Sequence, residues 1–273
     1  MPMQTNDFGT QSSLFPEADA ISVYEQPLNE RIRNCLRLEH LFTAIDDGLE
    51  GETEWHARDA IVGMLEVSDL LARADIKGEL IKELERHLSK ISALRNNPGV
   101  DGKALEETLS TVEPLIGQLK ASDCHPGARI RGDELINQVK QRIAIPGGTC
   151  NFDLPAFHYW LSKPYRERAG QFADWLSDLV VVNDAVAQVL RMLRESATTR
   201  EISIEDGLYQ QQLDPALQCQ LIRLFLDDAT DVFPEISGGK HRFVVRFFRQ
   251  PDTKGRPTQV HEQLKFELQC CGI

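Results

Sequence analysis

Apolar residues recur with a helical period over the first two thirds of the chain. After Asn29, whose side chain suits a helix N-cap, they stand three or four positions apart and share one face. Glu39 falls inside that apolar face, so we expect its carboxylate to form a buried ion pair. The same period predicts further helices at Thr53–Arg73, Ile76–Asn96, Lys103–Lys120 (kinked or divided by Pro114), Asp133–Ala144, Tyr165–Leu179 and Asn183–Ser196.

The stretch Ile145–Leu161 carries the densest set of local signals in the sequence. A Pro-Gly-Gly run at 146–148 is a turn signal, and Asp153 is predicted to cap a short helix with Pro155 in its first turn. This helix presents the imidazole of His158. Its apolar stripe consists of Phe157, Trp160 and Leu161.

Beyond Thr199 the period of the apolar residues shortens to two, which indicates strands. The predicted strands are Glu201–Ile204, Leu221–Leu226, His241–Phe248 and Leu264–Cys270. The polar segment 250–263 between the last two contains proline and glycine and is predicted to be a hairpin loop. A short strand at Ile21–Tyr24, stopped by Pro27, is expected to join the same sheet.

These patterns predict the α+β fold class, with a helical bundle domain and an appended antiparallel β-sheet domain. Residues 28–199 are predicted to form the helical domain, and residues 20–27 together with 200–273 the strand domain. Residues 1–19 are polar and lack periodicity, which predicts a flexible tail.

The composition limits the kinds of partner that the chain can have. Its 273 residues are 41% hydrophobic, enough to bury a sizeable core. The formal net charge of −12 opposes general affinity for nucleic acid or anionic membranes, since both need clustered positive charge. There is no run of about 18 apolar residues, which a membrane-spanning helix would need. The six cysteines and a start without a basic and apolar leader favour a reducing cytoplasm.

The strand His241–Phe248 carries the pattern that says most about function. Alternation predicts a core face of Phe243, Val245 and Phe247 and an opposite face of Lys240, Arg242, Val244, Arg246 and Phe248. The α-carbons of Arg242 and Arg246 should lie about 14 Å apart, at roughly 3.4 Å per residue. That distance suits a short acidic peptide better than one phosphate. The alternative is an ordinary solvated face, but three cations on one strand face of an acidic chain need an anion to offset their repulsion.

A second cationic cluster is predicted on the first helix. Arg33 and Arg37 are four residues apart and so lie on the same flank. Arg73, at the end of the second predicted helix, is a further candidate at its rim. If this cluster faces the strand cations with His158 beside them, the two form a basic cleft that binds carboxylates through bidentate guanidinium contacts.

The spacing of the candidate residues gives little support to a catalytic site, a phosphate-binding loop or a metal site. Cys150, Asp153 and His158 could form a thiol, carboxylate and imidazole set, which makes a thiol-dependent hydrolase the rival hypothesis. Gly238-Gly239-Lys240 lacks the upstream glycine and the Ser or Thr of a phosphate-binding loop. Cys270 and Cys271 lack the spacing of a metal site. We therefore expect no cofactor and no metal ion.

Four blocks of the sequence together resemble the ZapD family of bacterial cell division proteins. They occur in the same order across nearly the whole chain, and residues 1–19 fall outside them. The blocks are YEQPLNERIRNCLRLE (Tyr24–Glu39), IPGGTCNFDLPAFHYWL (Ile145–Leu161), PEISGGKHRFVVRF (Pro234–Phe247) and FELQCC (Phe266–Cys271).

The resemblance implies a non-enzymatic adaptor that binds the C-terminal tail of FtsZ and bundles FtsZ filaments at the mid-cell division site. A positively charged pocket of the family receives that tail, which contains acidic and apolar residues. By motif position the resemblance assigns this role to Arg33, Arg37, His158, Arg242 and Arg246. At one edge of the pocket some family members have an arginine where this chain has Glu134, and Arg131 is the candidate substitute. Because cross-linking two filaments needs two pockets on one particle, we expect a homodimer.

Overall fold

The computed structural model describes residues 21–95, 99 and 101–272, so the predicted tail at residues 1–19 lies outside the described residues. The predicted α+β fold class is confirmed. Contacts divide the chain into two compact units, which we call the helical unit and the strand unit.

The helical unit comprises Pro27–Ala197 and Asp214–Leu221, with Cys271 and Gly272. The strand unit comprises Thr198–Leu213 and Ile222–Cys270, with the described residues before Pro27. The domain boundaries proposed from the sequence, at residues 27/28 and 199/200, stay predictions.

Helices occupy the predicted places in the helical unit, and a further short one, α5, has no counterpart among the sequence predictions. Their bounds are α1 (Glu30–Glu50), α2 (Glu54–Arg73), α3 (Ile76–Ala93), α4 (Gly102–Lys120), α5 (Ala128–Gly132), α6 (Glu134–Arg142), α7 (Pro155–Leu161), α8 (Tyr165–Leu176) and α9 (Val180–Glu195). The helix α4 runs through Pro114 without being divided. The helix α3 ends at Ala93, before the predicted end at Asn96, which lies outside the described residues.

Side-chain caps explain where several helices begin. Asn29 Oδ1 accepts a hydrogen bond of 2.9 Å from the amide of Ile32, which confirms the predicted cap of α1. Asp133 Oδ1 accepts one of 3.0 Å from the amide of Ile136 at the start of α6. These bonds satisfy amide groups that would otherwise lack partners in the first helical turn.

The cap predicted for α7 is wrong. Leu154 is the N-cap residue and makes no side-chain hydrogen bond, although Pro155 does begin the helix as predicted. The carboxylate of Asp153 instead accepts a hydrogen bond of 3.3 Å from the thiol of Cys150. It also lies 3.8 Å from the guanidinium of Arg142. Asp153 therefore stabilises the loop before α7 and does not cap the N-terminus of the helix.

The predicted apolar stripe of α7 is confirmed, since Phe157, Trp160 and Leu161 are buried. The ring centroid of Trp160 lies 5.6 Å from Phe172 and 5.4 Å from Trp175, both in α8. Aromatic rings at such distances pack as favourable edge-on or tilted pairs. This cluster fixes α7 against α8 and leaves the opposite side of α7 exposed.

A buried carboxylate ties together distant parts of the helical unit. Glu83 of α3 is fully buried and accepts hydrogen bonds from Arg31 (2.5 Å), His87 (3.0 Å), Gln220 (3.1 Å) and Arg86. Burial alone would raise the pKa of Glu83, but the bonds from His87, Arg86 and Arg31 hold its pKa well below the usual range.

Eight strands are assigned in the described chain, and they form two four-stranded sheets rather than the single sheet predicted. Their bounds are β1 (Ile21–Pro27), β2 (Arg200–Ile204), β3 (Leu208–Gln212), β4 (Leu221–Asp227), β5 (Phe233–Gly238), β6 (Arg242–Arg249), β7 (Thr258–Gln259) and β8 (Leu264–Cys271). One sheet has the order β1-β4-β8-β2. The other has the order β3-β6-β5, with β7 also paired to β6.

The hairpin predicted between the last two long strands is wrong. Strand β6 pairs antiparallel with β3, β5 and β7, whereas β8 lies in the other sheet, where it pairs antiparallel with β2. The intervening segment supplies β7. The chain thus crosses between the sheets, and their inner faces meet through aromatic rings. Phe247 and Phe266 have ring centroids 5.2 Å apart, and Tyr209 and Phe266 5.7 Å apart.

Candidate functional site

The central strand β6 has the two faces that alternation predicts. Phe243, Val245 and Phe247 are fully buried between the sheets. Arg242 and Arg246 are exposed on the opposite face, with Val244 half-buried between them. Because β6 has neighbours on both sides, its backbone is fixed, and the two guanidinium groups project from a rigid support.

A groove of about 470 Å3 lies over this face. It extends from the β5–β6 turn, which is closed by a hydrogen bond of 3.0 Å from the Gly239 amide to the Arg242 carbonyl. We call this feature the strand groove. Its lining residues are Ser237, Gly238, Gly239, Lys240, His241, Arg242, Val244 and Arg246.

The cations of the strand groove have no acidic partner in the part of the chain that the structure describes. No Asp or Glu oxygen lies within 4.0 Å of the charged nitrogens of Lys240, Arg242 or Arg246. By contrast, the next arginine along β6, Arg249, lies 2.6 Å from Glu262. Within the described chain, the positive charge of the groove is therefore not offset by a direct ion pair.

The flanking strands complete the surface around the groove. Leu208 of β3 and Glu235 of β5 both lie directly opposite Arg246, on either side of it. Both residues are exposed. The sequence predictions missed these neighbours because β3 and β5 themselves were missed. The signal for β3 is weak, because Leu208 and Tyr209 are followed by three consecutive glutamines with no apolar alternation.

The predicted cations of α1 are close together but share an acidic neighbour. Arg33 Nε donates a hydrogen bond of 3.1 Å to Glu30, and Arg37 Nη1 lies 3.7 Å from the same carboxylate. All three side chains are at least 40% exposed, so solvent weakens both ion pairs. Glu30 nevertheless offsets part of the positive charge of this cluster.

A second groove, of about 580 Å3, lies between α1 and α2. It contains Arg37 and Arg73, two of the residues selected from the sequence, and it has Leu41 and Leu70 among its apolar lining residues. The further lining residues are His40, Glu66 and Asp69, and Asp69 accepts a hydrogen bond of 2.6 Å from Lys140. This groove mixes charges of both signs, whereas the strand groove is lined by cations and neutral residues.

His158 is exposed in the last turn of α7. Within the described chain its ring makes no hydrogen bond, so the imidazole is not joined to Cys150 or Asp153. The nucleophile, base and orienting group of a thiol enzyme are normally linked by hydrogen bonds. The set proposed from the sequence therefore lacks this linkage.

Arg131 and Glu134, which the sequence places at one edge of the expected pocket, form hydrogen bonds with nearby residues. Arg131 Nη2 donates a hydrogen bond of 3.1 Å to the carbonyl of Pro126. Glu134 accepts one of 3.1 Å from Gln138, one helical turn further along α6.

The candidate residues are divided between the two units. Lys240, Arg242 and Arg246 belong to the strand unit. Arg33, Arg37, Arg73 and His158 belong to the helical unit. The cleft predicted from both clusters stays a prediction.

Two other kinds of site are absent from the described residues. Among the described residues, no group of three or more His, Cys, Asp or Glu side chains could hold a metal ion. No helix in this part of the chain is both long enough and apolar enough to cross a membrane.

Comparison with known proteins gave consistent matches. The family model described as "ZapD: Cell division protein" matches residues 36–246. The cell division protein ZapD of Ralstonia nicotianae is 39% identical over 252 residues, covering 92% of this chain and 99% of the relative. That of Methylococcus capsulatus is 37% identical over 249 residues, covering 91% and 97%. That of Coxiella burnetii is 33% identical over 251 residues, covering 92% and 97%.

Proposed function

Because the chain belongs to the ZapD family of cell division proteins, we propose that it is a non-enzymatic adaptor that binds the C-terminal tail of FtsZ and cross-links FtsZ filaments. It acts in the cytoplasm, at the mid-cell division ring. The choice of FtsZ as the partner follows from the family resemblance. The choice of the strand groove as the primary site follows from its geometry.

One observation carries the site assignment: Arg242 and Arg246 are exposed on a rigid central strand with no carboxylate within 4.0 Å in the described chain. In a chain of net charge −12, most surface cations can find an internal anion. Cations that lack one are best stabilised by an external carboxylate, which a guanidinium can bind through two parallel hydrogen bonds. The half-buried Val244 between them offers an apolar contact for the same ligand.

We assign the remaining cations to supporting contacts with the tail. Lys240 lies in the strand groove beside Arg242 and adds charge to that end. Arg33, Arg37, Arg73 and His158 of the helical unit are further tail contacts implied by the resemblance. Of these, Arg33 and Arg37 should contribute less per residue because they share Glu30.

The non-enzymatic part of the proposal is supported by the surroundings of Cys150. Its thiol donates a hydrogen bond to Asp153, whose carboxylate faces Arg142. The thiol is engaged in a loop contact and, within the described chain, lacks the hydrogen-bonded imidazole of a Cys–His pair.

Cross-linking requires two tail sites on one particle, so we propose that the protein acts as a homodimer. Twofold symmetry is the commonest way in which one kind of chain presents two equal sites. A filament displays many tails, and the second contact is made at high effective concentration. A modest affinity for one tail then becomes firm but reversible attachment to filaments.

Titration of the full chain with a synthetic FtsZ tail peptide tests this proposal. Arg246→Glu should weaken binding at least tenfold, because charge-assisted hydrogen bonds contribute about 1.5–3 kcal/mol each. Arg256→Glu is the matched control: Arg256 is exposed in the loop before β7, outside the groove lining, and its reversal changes the net charge equally. Equal affinities for wild type, Arg246→Glu and Arg256→Glu, with unchanged circular dichroism, would exclude the strand groove.

A further inference from the structure

The two arginines of the strand groove have different neighbours. Arg246 lies directly opposite Glu235 of β5, and directly opposed residues of antiparallel strands project from the same face. Arg242 lies opposite Gln212 of β3, and Lys240 is the charged side chain nearest to it along the strand. At the Arg242 end the charged neighbour is therefore another cation, whereas the Arg246 end has a carboxylate beside it, on the neighbouring strand and outside the groove lining.

Glu235 is close enough to influence Arg246 without neutralising it by direct contact. Opposed residues on antiparallel strands have β-carbons about 4.5–5.5 Å apart, which is within reach of both long side chains. Yet no oxygen of Glu235 lies within 4.0 Å of the Arg246 guanidinium nitrogens. Arg246 can accept a ligand carboxylate, but that carboxylate would lie beside the like charge of Glu235.

The Arg246 end also offers apolar surface. Leu208, opposite Arg246 on β3, is 46% exposed although it is a large apolar residue. The ring of Phe248, the next outward-facing residue of β6, stacks on Phe233 at 6.0 Å between centroids. The same end that disfavours a second carboxylate therefore favours an apolar side chain.

We propose that Glu235 is a specificity-determining residue: it weakens carboxylate binding at Arg246 relative to Arg242, so that the more acidic side of a ligand binds at the Arg242 end and its apolar residue lies at the Arg246 end. The inference rests on the proposed function and deepens it. The ligand class is a short peptide segment with acidic residues on one side of an apolar one, bound in a single orientation along β6. Without Glu235, the two ends would attract carboxylates almost equally, and the groove would bind the peptide in either of two orientations along β6.

Glu235→Gln tests the inference, because it removes the charge and keeps the shape of the side chain. It should tighten binding of the tail peptide about two- to fivefold, the range that one exposed pair of cross-strand charges supplies. Glu201→Gln is the control, since Glu201 is exposed on β2 of the other sheet and its loss changes the net charge equally. The control should leave affinity unchanged.

A double-mutant cycle separates this role from a general charge effect. In the wild-type background, Arg242→Gln should weaken binding more than Arg246→Gln. In the Glu235→Gln background the two losses should become equal, because both arginines are then free of a carboxylate neighbour. Salt at 1 M should abolish the difference, because the Debye length is then about 3 Å.

The possible outcomes distinguish failure of the inference from failure of the proposed function. If the wild type binds the peptide but Glu235→Gln binds equally or more weakly, the inference is overturned and the proposed function stands. Equal losses for Arg242→Gln and Arg246→Gln in the wild type would overturn it as well. If the wild type does not bind the peptide at all, both the inference and the proposed function are wrong.

Discussion

The guanidinium of Arg194 in α9 donates two hydrogen bonds of 2.7 Å, one to each carboxylate oxygen of Glu39 in α1. The sequence predicted a buried partner for Glu39 because its position falls within an apolar helix face. The partner is present, and the pair is half-buried, with 25% of the Arg194 side chain and 36% of Glu39 exposed. This contact joins two residues that are 155 positions apart in the chain.

Replacing Arg194 by Met should lower the free energy of unfolding by about 1–2 kcal/mol, since hydrogen bonds to charged groups are strong but this pair is partly solvated. Urea denaturation monitored by circular dichroism measures the change. Arg95→Met is the matched control, because Arg95 also forms two hydrogen bonds with one glutamate, Glu106, but at a more exposed site, where 56% and 57% of the two side chains are accessible to solvent. An equal loss in both variants would show that burial of the Arg194 pair has no effect.

The buried Glu83 predicts how stability depends on pH. Its pKa is lower in the folded chain than the value of about 4.3 for an unfolded one. As pH falls below about 4.3, the unfolded state binds the proton first, so the stability that Glu83 contributes is present above this pH and is lost below it. Urea denaturation between pH 5 and pH 3 should show a steep loss in the wild type.

The variant Glu83→Gln should lose about 3–5 kcal/mol at pH 7, because it breaks a buried charge network, and its stability should depend less steeply on pH below 4.3. Glu107→Gln, which removes an exposed carboxylate of α4, should keep the wild-type slope. If Glu83→Gln kept the full wild-type slope, the acid sensitivity would arise from other carboxylates.

The helices were predictable because their burial follows the 3.6-residue period. In α9, for example, Val182, Val186, Val189 and Leu193 are buried as the spacing requires. Helix α5 has only five residues, ARIRG, with one buried side chain, so no periodic signal could exist. The prediction that Asp153 caps α7 rested on the usual preference of aspartate for that position. Its carboxylate instead contacts Cys150 and Arg142. Local preference was overridden there by contacts that a sequence pattern does not reveal.

The strands were less predictable because their partners lie far away in the chain. Strand β5 contains Pro234 and ends at Gly238, which argued against a strand, but it lies at the edge of its sheet, where proline is tolerated. Strand β6 could be recognised because Arg242 and Arg246 fall on the face opposite to Phe243, Val245 and Phe247, as a period of two requires. The arginines of the strand groove were therefore found from the sequence, whereas Glu235 and Leu208 became neighbours of Arg246 through pairing that no local pattern specifies.

Binding of the tail peptide should weaken as salt increases. The attraction acts between exposed charges, and the Debye length falls from about 10 Å at 0.1 M to about 3 Å at 1 M. Titrations at 0.05, 0.15 and 0.5 M salt, chosen at roughly threefold steps around the physiological value, measure the slope. A peptide whose acidic residues are replaced by their amides serves as the control and should show almost no slope. Equal slopes for both peptides would mean that the carboxylates are not the groups recognised.

The variant Cys150→Ser should bundle FtsZ filaments as well as the wild type, because the proposal gives this thiol no chemical role. Light scattering of polymerised FtsZ measures bundling. Cys35 is a reference for labelling with a thiol reagent, since burial raises its pKa to about 12 and it should not react in the folded protein. A loss of bundling with unchanged circular dichroism and Tm, or fast labelling at Cys150, would favour the thiol-dependent hydrolase.

Bundling should require a dimer, because one tail site per chain can decorate a filament but cannot join two. Sedimentation of the purified protein at micromolar concentration should give about twice the chain mass of 30.8 kDa. Mixing wild type with an excess of Arg246→Glu should suppress bundling more than binding, since mixed dimers keep one working site and lose the cross-link. Arg256→Glu in the same excess is the control and should leave bundling unchanged. A strictly monomeric particle that still bundled filaments would require two different tail sites on one chain, and the arginines of the helical unit would then be the candidates for the second.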